Sequence, residues 1–322
     1  MPKKGFEYAY YEAIQGEMRR DKSVIYIYEY QTPVGTYGTQ KPINLQNEFG
    51  KPRVNYSGID EEFFVAVAIG ATRAGCRPIC IIPSMTETLC FGVINESAKL
   101  HVGAGGEEKI PCVIVQETSA QSMGGGQSHS DYDCDGFYMH CTNLVTLCPA
   151  TAYDAKGLMI SAIRSDDMVL YLKGGNTRTI ADEVPDEAYT VPIGKAAVRS
   201  EGKDLTVVSS GHGVLTCLPA LDRLKKEGVG VDFIDLRTLH PLDRETLVKS
   251  VKKTGKCLTV DQSPYTLCPG AEVIATCAEG VPAAKFKRIA FPDTAPGGAP
   301  EIIEWQKPNA EQVYQAAKML LK

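Results

Sequence analysis

Apolar positions along this chain recur with two periods, and the two alternate. Residues 5–20 carry a helical pattern, and the run SVIYIYEY at 23–30 alternates β-branched and aromatic side chains as a strand does. The stretch DEEFFVAVAIGATRAG, 60–75, sets three acids ahead of an apolar segment rich in Ala and Gly, which predicts a buried helix with acids in its first turn. RPICIIP follows as a short continuous apolar run, the pattern of a parallel strand covered on both faces. Further on come a helix at 87–102, the strand PCVIVQE at 111–117, a glycine-rich loop, a helix near 131–140, the strand LVTLCP, a helix at 152–165 and the strand MVLYLK. Helices alternating with buried strands predict an open, mainly parallel sheet.

Residues 174–203 interrupt this pattern with a polar, turn-rich stretch that has no helical period, which reads as a domain boundary. The alternation then resumes with the strand DLTVVSS, the turn GHG, a helix at 214–227, the strand VGVDFIDL, a helix at 243–253, the strand KCLTVD and a helix at 270–279. A closing helix at 309–321 carries Val313, Ala316, Ala317, Leu320 and Leu321. The fold class is therefore α/β, with two open, mainly parallel sheets and flanking helices. In the second sheet the strand ends at Ser209 and Asp235 are where a ligand or partner crevice would form.

Length agrees with two domains, since 322 residues exceed the usual size of one. A composition of 43% hydrophobic and 23% charged residues describes an ordinary globular protein. Net charge is −5 with both signs interleaved, which argues against nucleic acid or a membrane surface as partner. The start has two lysines without an apolar segment behind them, and no run reaches membrane-spanning length. Eleven cysteines lie scattered without a CxxC pair. This fits a reducing, cytoplasmic setting and small buried hydrophobes, including the sevenfold-spaced Cys134, Cys141 and Cys148, better than a metal site.

Three stretches offer chemistry. GGGQSHSDYD, 124–133, combines backbone freedom with the imidazole of His129, a side-chain type suited to proton shuttling; the same composition also describes a surface loop. Asp60, Glu61 and Glu62 either cap a helix or present a carboxylate at the edge of a low-dielectric region, and local sequence leaves both open. GHG at 211–213 follows a strand and opens a helix, the geometry of an anion site. No GxGxxG or P-loop accompanies it, and Ser209 or Ser210 with His212 lacks the GxSxG setting of a hydrolase.

Read in order, EAIQGEMRRDKSVIYIYE, IDEEFFVAVAIGATRAGCRPI, VINESAK, GGQSHSDYDCDGFYMHCTNLVTLCPATAYDAKGLMISAIR and VDFIDLRTLHPLDRETLVKSVKKTGKCLTVD resemble the beta subunit of the thiamine-diphosphate-dependent first component of 2-oxo acid dehydrogenases. The family includes pyruvate, branched-chain and acetoin dehydrogenases within the transketolase-like superfamily. The resemblance spans nearly the whole chain. It implies a pyrimidine-binding domain over 1–185, a linker at 186–203 and a transketolase C-terminal-like domain over 204–322. Glu61 matches the glutamate that hydrogen-bonds the aminopyrimidine, and Glu29, after the first strand, joins it among the cofactor-contacting residues. His129 matches the family's active-site histidine, which protonates or orients the reacting fragment or its acceptor.

The family's diphosphate and magnesium motif, a GDG followed by asparagines, is absent from the sequence. The resemblance therefore implies that an alpha subunit holds most of the thiamine diphosphate and its Mg2+, in an α2β2 assembly, with a lipoyl-bearing core protein as a further partner in the dehydrogenase reading. The chain departs from the family pattern at CIIPSMTETLC after RPI, at Val115, at Ser128 and at TAPGGAPEI near the C-terminus, so substrate and acceptor stay open. A carboligase or lyase subunit with a non-lipoyl acceptor is one alternative. A subunit that only supports assembly is another, disfavoured by the presence of both Glu61 and His129.

Overall fold

The computed structural model describes residues 1–29, 33–83, 87–103, 108–118, 135–174, 180–294 and 299–322. Its first elements are β1 (Lys3–Gly5), α1 (Phe6–Arg20), β2 (Val24–Tyr28), β3 (Val34–Gly35), β4 (Ile43–Asn44), α2 (Leu45–Phe49), β5 (Val54–Tyr56), α3 (Glu61–Arg73), β6 (Arg77–Pro83), α4 (Glu87–Gly103) and β7 (Val113–Thr118). Then come α5 (Asp135–Met139), β8 (Val145–Leu147), α6 (Ala152–Arg164), β9 (Val169–Gly174), β10 (Ala181–Glu183), β11 (Ala197–Ser200), β12 (Leu205–Ser209), α7 (Gly211–Lys226), β13 (Val231–Asp235) and β14 (Thr238–His240). The chain closes with α8 (Arg244–Thr254), β15 (Lys256–Pro264), α9 (Pro269–Gly280), β16 (Lys285–Phe291), α10 (Pro300–Gln306) and α11 (Ala310–Leu321). Two compact units result, Met1–Thr118 with His140–Ile193, and Ser119–Met139 with Gly194–Lys322.

In the first unit, strands run in the order β8-β9-β7-β6-β2-β5, every neighbouring pair parallel. Ile79 stands opposite Val113, and Val113 opposite Val169, so the continuous apolar runs meet in the middle of the sheet. On one face α6 is buried almost all round, because it lies beneath α1. Helix α1 turns Phe6, Ala9, Tyr10, Ala13, Ile14 and Met18 inward at three- and four-residue spacing. Each of the large ones, Phe6, Ile14 and Met18, contributes about 1.5–3 kcal/mol, and this shared layer fixes the sheet on which the site is built.

In the second unit, five strands run β11-β13-β12-β15-β16, with β11 antiparallel and the others parallel. Asp243 caps α8 by accepting from the Thr246 N–H at 3.3 Å, and Asn309 forms a capping box with Gln312 at the start of α11.

Several elements differ from the sequence reading. The GHG turn belongs to the first turn of α7, with the preceding Ser210 extended at φ −143° and Gly211 at φ +48°. Glycine takes that positive φ without a steric penalty because it has no Cβ, and Gly213 is needed for close approach, since a Cβ there would lie 2.4 Å from Ser209 Oγ. Strand β11 forms inside the polar stretch read as a boundary. It is an edge strand of half-buried and exposed residues, so its sequence lacks an apolar run. The edge strands β5 and β16 and the short helix α10 likewise escaped the pattern. Among the described residues no helix is long and apolar enough to cross a membrane.

Candidate active site

The acids read from the sequence divide their work by position. Asp60 is the N-cap of α3, its carboxylate accepting the Phe63 N–H at 3.1 Å, so capping belongs to this residue. Glu61 is the first helical residue, partly exposed, with the helix dipole favouring its negative charge. Helix α3 is held by a core face of Phe64, Val65, Ala68 and Ile69, while Phe63 and Val67 stay exposed on the other side. The Cys80 thiol of β6 donates to the Phe64 carbonyl at 3.9 Å, which ties the helix start to the sheet.

Glu29 follows β2 and is 4% exposed. Burial, and then the Glu61 carboxylate, push its carboxyl up to about 7. Its Oε2 has no hydrogen-bond partner among the described residues. Cys90 on α4 senses the same group of acids. Its thiol is raised to about 12 by burial, then by Glu61, Glu62, Glu29 and Asp60. The structure thus brings Glu29 and Glu61 together, a buried carboxyl able to hold a proton at neutral pH beside a carboxylate that is open to solvent. His129 and the glycine loop lie outside the described residues.

A second set of ionisable groups was missed by the sequence reading. Lys173, at the end of β9, is 1% exposed and lies 2.5 Å from Glu117 Oε1 and 2.9 Å from Glu7 Oε1, above the Tyr10 ring at 4.8 Å. Burial alone would lower the ammonium, but Glu117 and Glu7 outweigh it and hold Lys173 above its ordinary range. Glu117 and Lys173 are register partners across β7 and β9, so the pair fixes the end of the strand from which the chain continues toward His129. The available signal was an ionisable residue ending each of two apolar strands.

A carboxyl pair of this kind fits a heteroaromatic ring that offers both a ring nitrogen and an exocyclic amine: Glu61 is reachable from solvent, and Glu29 has an uncommitted buried oxygen. Among the described residues no group of three or more His, Cys, Asp or Glu could hold a metal ion.

Two mainly parallel sheets with an acid-headed helix in the first fit a transketolase-like protein, and family models define it as one. "Transketolase, pyrimidine binding domain" matches residues 3–178, and "Transketolase, C-terminal domain" matches 194–313. The structure titled "Split gene transketolase, inactive beta4 tetramer" superposes with a TM-score of 0.79 over 98% of both chains at 21% identity, a likeness of fold. Curated relatives narrow the class. The chain is 32% identical to the acetoin:2,6-dichlorophenolindophenol oxidoreductase subunit beta of Cupriavidus necator, over 97% of this chain and 95% of that one. It is 33% identical to the pyruvate dehydrogenase E1 component subunit beta of Staphylococcus epidermidis, over 97% and 96%. To the 2-oxoisovalerate dehydrogenase subunit beta of Bacillus subtilis it is also 33% identical, over 96% and 95%. The chain belongs to the family of beta subunits of 2-oxo acid dehydrogenase first components.

Proposed function

We propose that this chain is the beta subunit of a thiamine-diphosphate-dependent 2-oxo acid dehydrogenase, which cleaves the bond next to a carbonyl and passes the acyl fragment to an acceptor. The observation that carries the reading is the pairing of Glu29, held at about 7, with the solvent-reachable Glu61 at the head of α3. Thiamine diphosphate, when bound, supplies the carbanion chemistry. Glu61 would hydrogen-bond and orient the pyrimidine end, and Glu29, whose carboxyl lies at about 7, would take up or release one proton at its uncommitted oxygen near neutral pH, the pair passing between charges of about −1 and −2. His129 is the proposed acid or base for transfer to the acceptor. Residues 1–185 would carry the pyrimidine-binding role and 204–322 the C-terminal domain.

The diphosphate and Mg2+ are assigned to an alpha subunit in an α2β2 assembly. Support comes from the missing GDG motif and from relatives named as beta subunits. A cytoplasmic location is supported by buried free thiols such as Cys80, Cys112 and Cys257. Native purification followed by mass spectrometry of subunits and small molecules tests the reading. An alpha-type partner with thiamine diphosphate is expected, and a stable complex containing neither would refute it.

A further inference from the structure

The crevice foreseen at the end of β12 is not used by the reading above. In the second unit the parallel strands stand in the order β13-β12-β15-β16, so the chain leaves β12 toward one side to form β13 and later passes to the other side to form β15. Strand β12 is where the order reverses, and open α/β sheets bind ligands outside the carboxyl ends of their strands at such a point. The chain there runs Ser209-Ser210-Gly211-His212-Gly213 directly into α7, a helix of 16 residues.

The donors at this end are built in and uncommitted. Ser209 is occupied, its hydroxyl donating to the Val260 carbonyl at 2.6 Å. Ser210 is only 8% exposed and stands at the N-cap of α7, yet its hydroxyl makes no bond to the helix and none to any other described residue. An N-cap serine ordinarily bonds the N2 or N3 amide, so this hydroxyl is left available to a ligand at the helix start. Gly213 N–H reaches back to the Ser210 carbonyl at 3.0 Å, while the other first-turn amides have no acceptor inside the helix.

His212 adds a second uncommitted group, because its Nδ1 is closed off from solvent without a partner among the described residues. Burial, and then the nearby Lys307 ammonium, hold its imidazole below the ordinary range. Gln262 Nε2 donates to Thr216 Oγ1 at 3.2 Å beside the first turn, and Gly213 lies against Ser209 and Val260. The carboxylate partner of Lys307, Glu304, is 3.5 Å away and 75% exposed, a weak and replaceable pairing.

An unbonded hydroxyl on a nearly buried serine, an unpartnered buried imidazole nitrogen, a lysine and the positive end of a long helix share one need, an anion with several acceptor oxygens. We propose that Ser210, His212, Lys307 and the first-turn amides of α7 bind the phosphate group of a small phosphorylated ligand. The site is made by the second unit alone and does not depend on the catalytic reading.

The test uses the full chain with its partner subunit, carries 13C at the imidazole Cε1 of histidine in this chain only, and takes inorganic phosphate as probe. The His212 resonance is assigned by its loss in His212→Gln. It is expected to move saturably with phosphate and not with chloride at equal ionic strength, with binding weakened about tenfold or more in Ser210→Ala. Lys307→Gln, at a partly exposed position where misfolding is not expected, should weaken it severalfold. Equal responses to chloride and phosphate would overturn the proposal, as would unchanged phosphate affinity in both Ser210→Ala and Lys307→Gln.

Discussion

Glu29, just after β2, has its carboxyl raised by burial and then by Glu61 at the start of α3, which places a second negative charge beside it. Because the folded protein holds this proton more tightly than the unfolded chain does, Glu29 costs stability as pH rises from the ordinary carboxyl range, about 4.5, through about 7. Glu29→Gln removes that cost. The variant is expected to be more stable than the wild type at pH 8, with the gap closing as pH falls through that window. Urea unfolding across the range checks this, and a gap independent of pH would mean that Glu29 is an ordinary surface acid.

Lys173 neutralises part of a buried cluster with Glu117 and Glu7. Replacing it with methionine keeps most of the volume but leaves carboxylates buried without their cation. A loss of about 3–5 kcal/mol is expected, the scale for breaking a buried ion pair from one side. The double variant with Glu117→Gln should recover part of that loss in a double-mutant cycle. Simple additivity would show that the two residues do not act as a pair.

Much of the fold could be read from the sequence where one physical signal dominated. Strands β6, β7 and β9 are continuous apolar runs because both faces are covered, and α1 and α11 show a helical stripe. Edge strands were lost because they carry exposed and half-buried polar residues in place of an apolar run, as in β16, where exposed Lys285 and Lys287 alternate with half-buried Phe286 and Arg288. At the site, acids ahead of an apolar helix singled out Glu61, though not which of the three was the cap. Glu29 came only with the family resemblance, since alternation along SVIYIYEY does not say which strand end is closed from water. The Glu117–Lys173 pair was hidden because register between distant strands is a tertiary property.

Cofactor affinity separates what this chain supplies from what its partner supplies. Without a GDG motif, the purified chain is expected to bind thiamine diphosphate weakly and to gain affinity only on adding the alpha subunit. Calorimetry with and without Mg2+ measures this directly. Tight, magnesium-dependent binding to the chain alone would place the diphosphate site here.

For His129 the expectation is a kinetic defect without a structural one. His129→Ala should assemble and bind cofactor normally while turnover falls roughly a hundredfold or more, the usual scale for a lost acid or base. In single turnover the loss should fall on transfer to the acceptor. Normal turnover would make the GGGQSHSDYD loop a structural lid.

The most direct measurement is exchange of the C2 proton of thiamine diphosphate in the assembled complex carrying Glu61→Gln. Glu61 is partly exposed and Asp60 caps the helix, so the substitution should leave folding and assembly intact. Exchange is expected to slow strongly relative to the wild type, with cofactor still bound. Exchange at the wild-type rate in a correctly assembled complex would reduce Glu61 to a charge at the end of a helix and contradict its assignment to the cofactor.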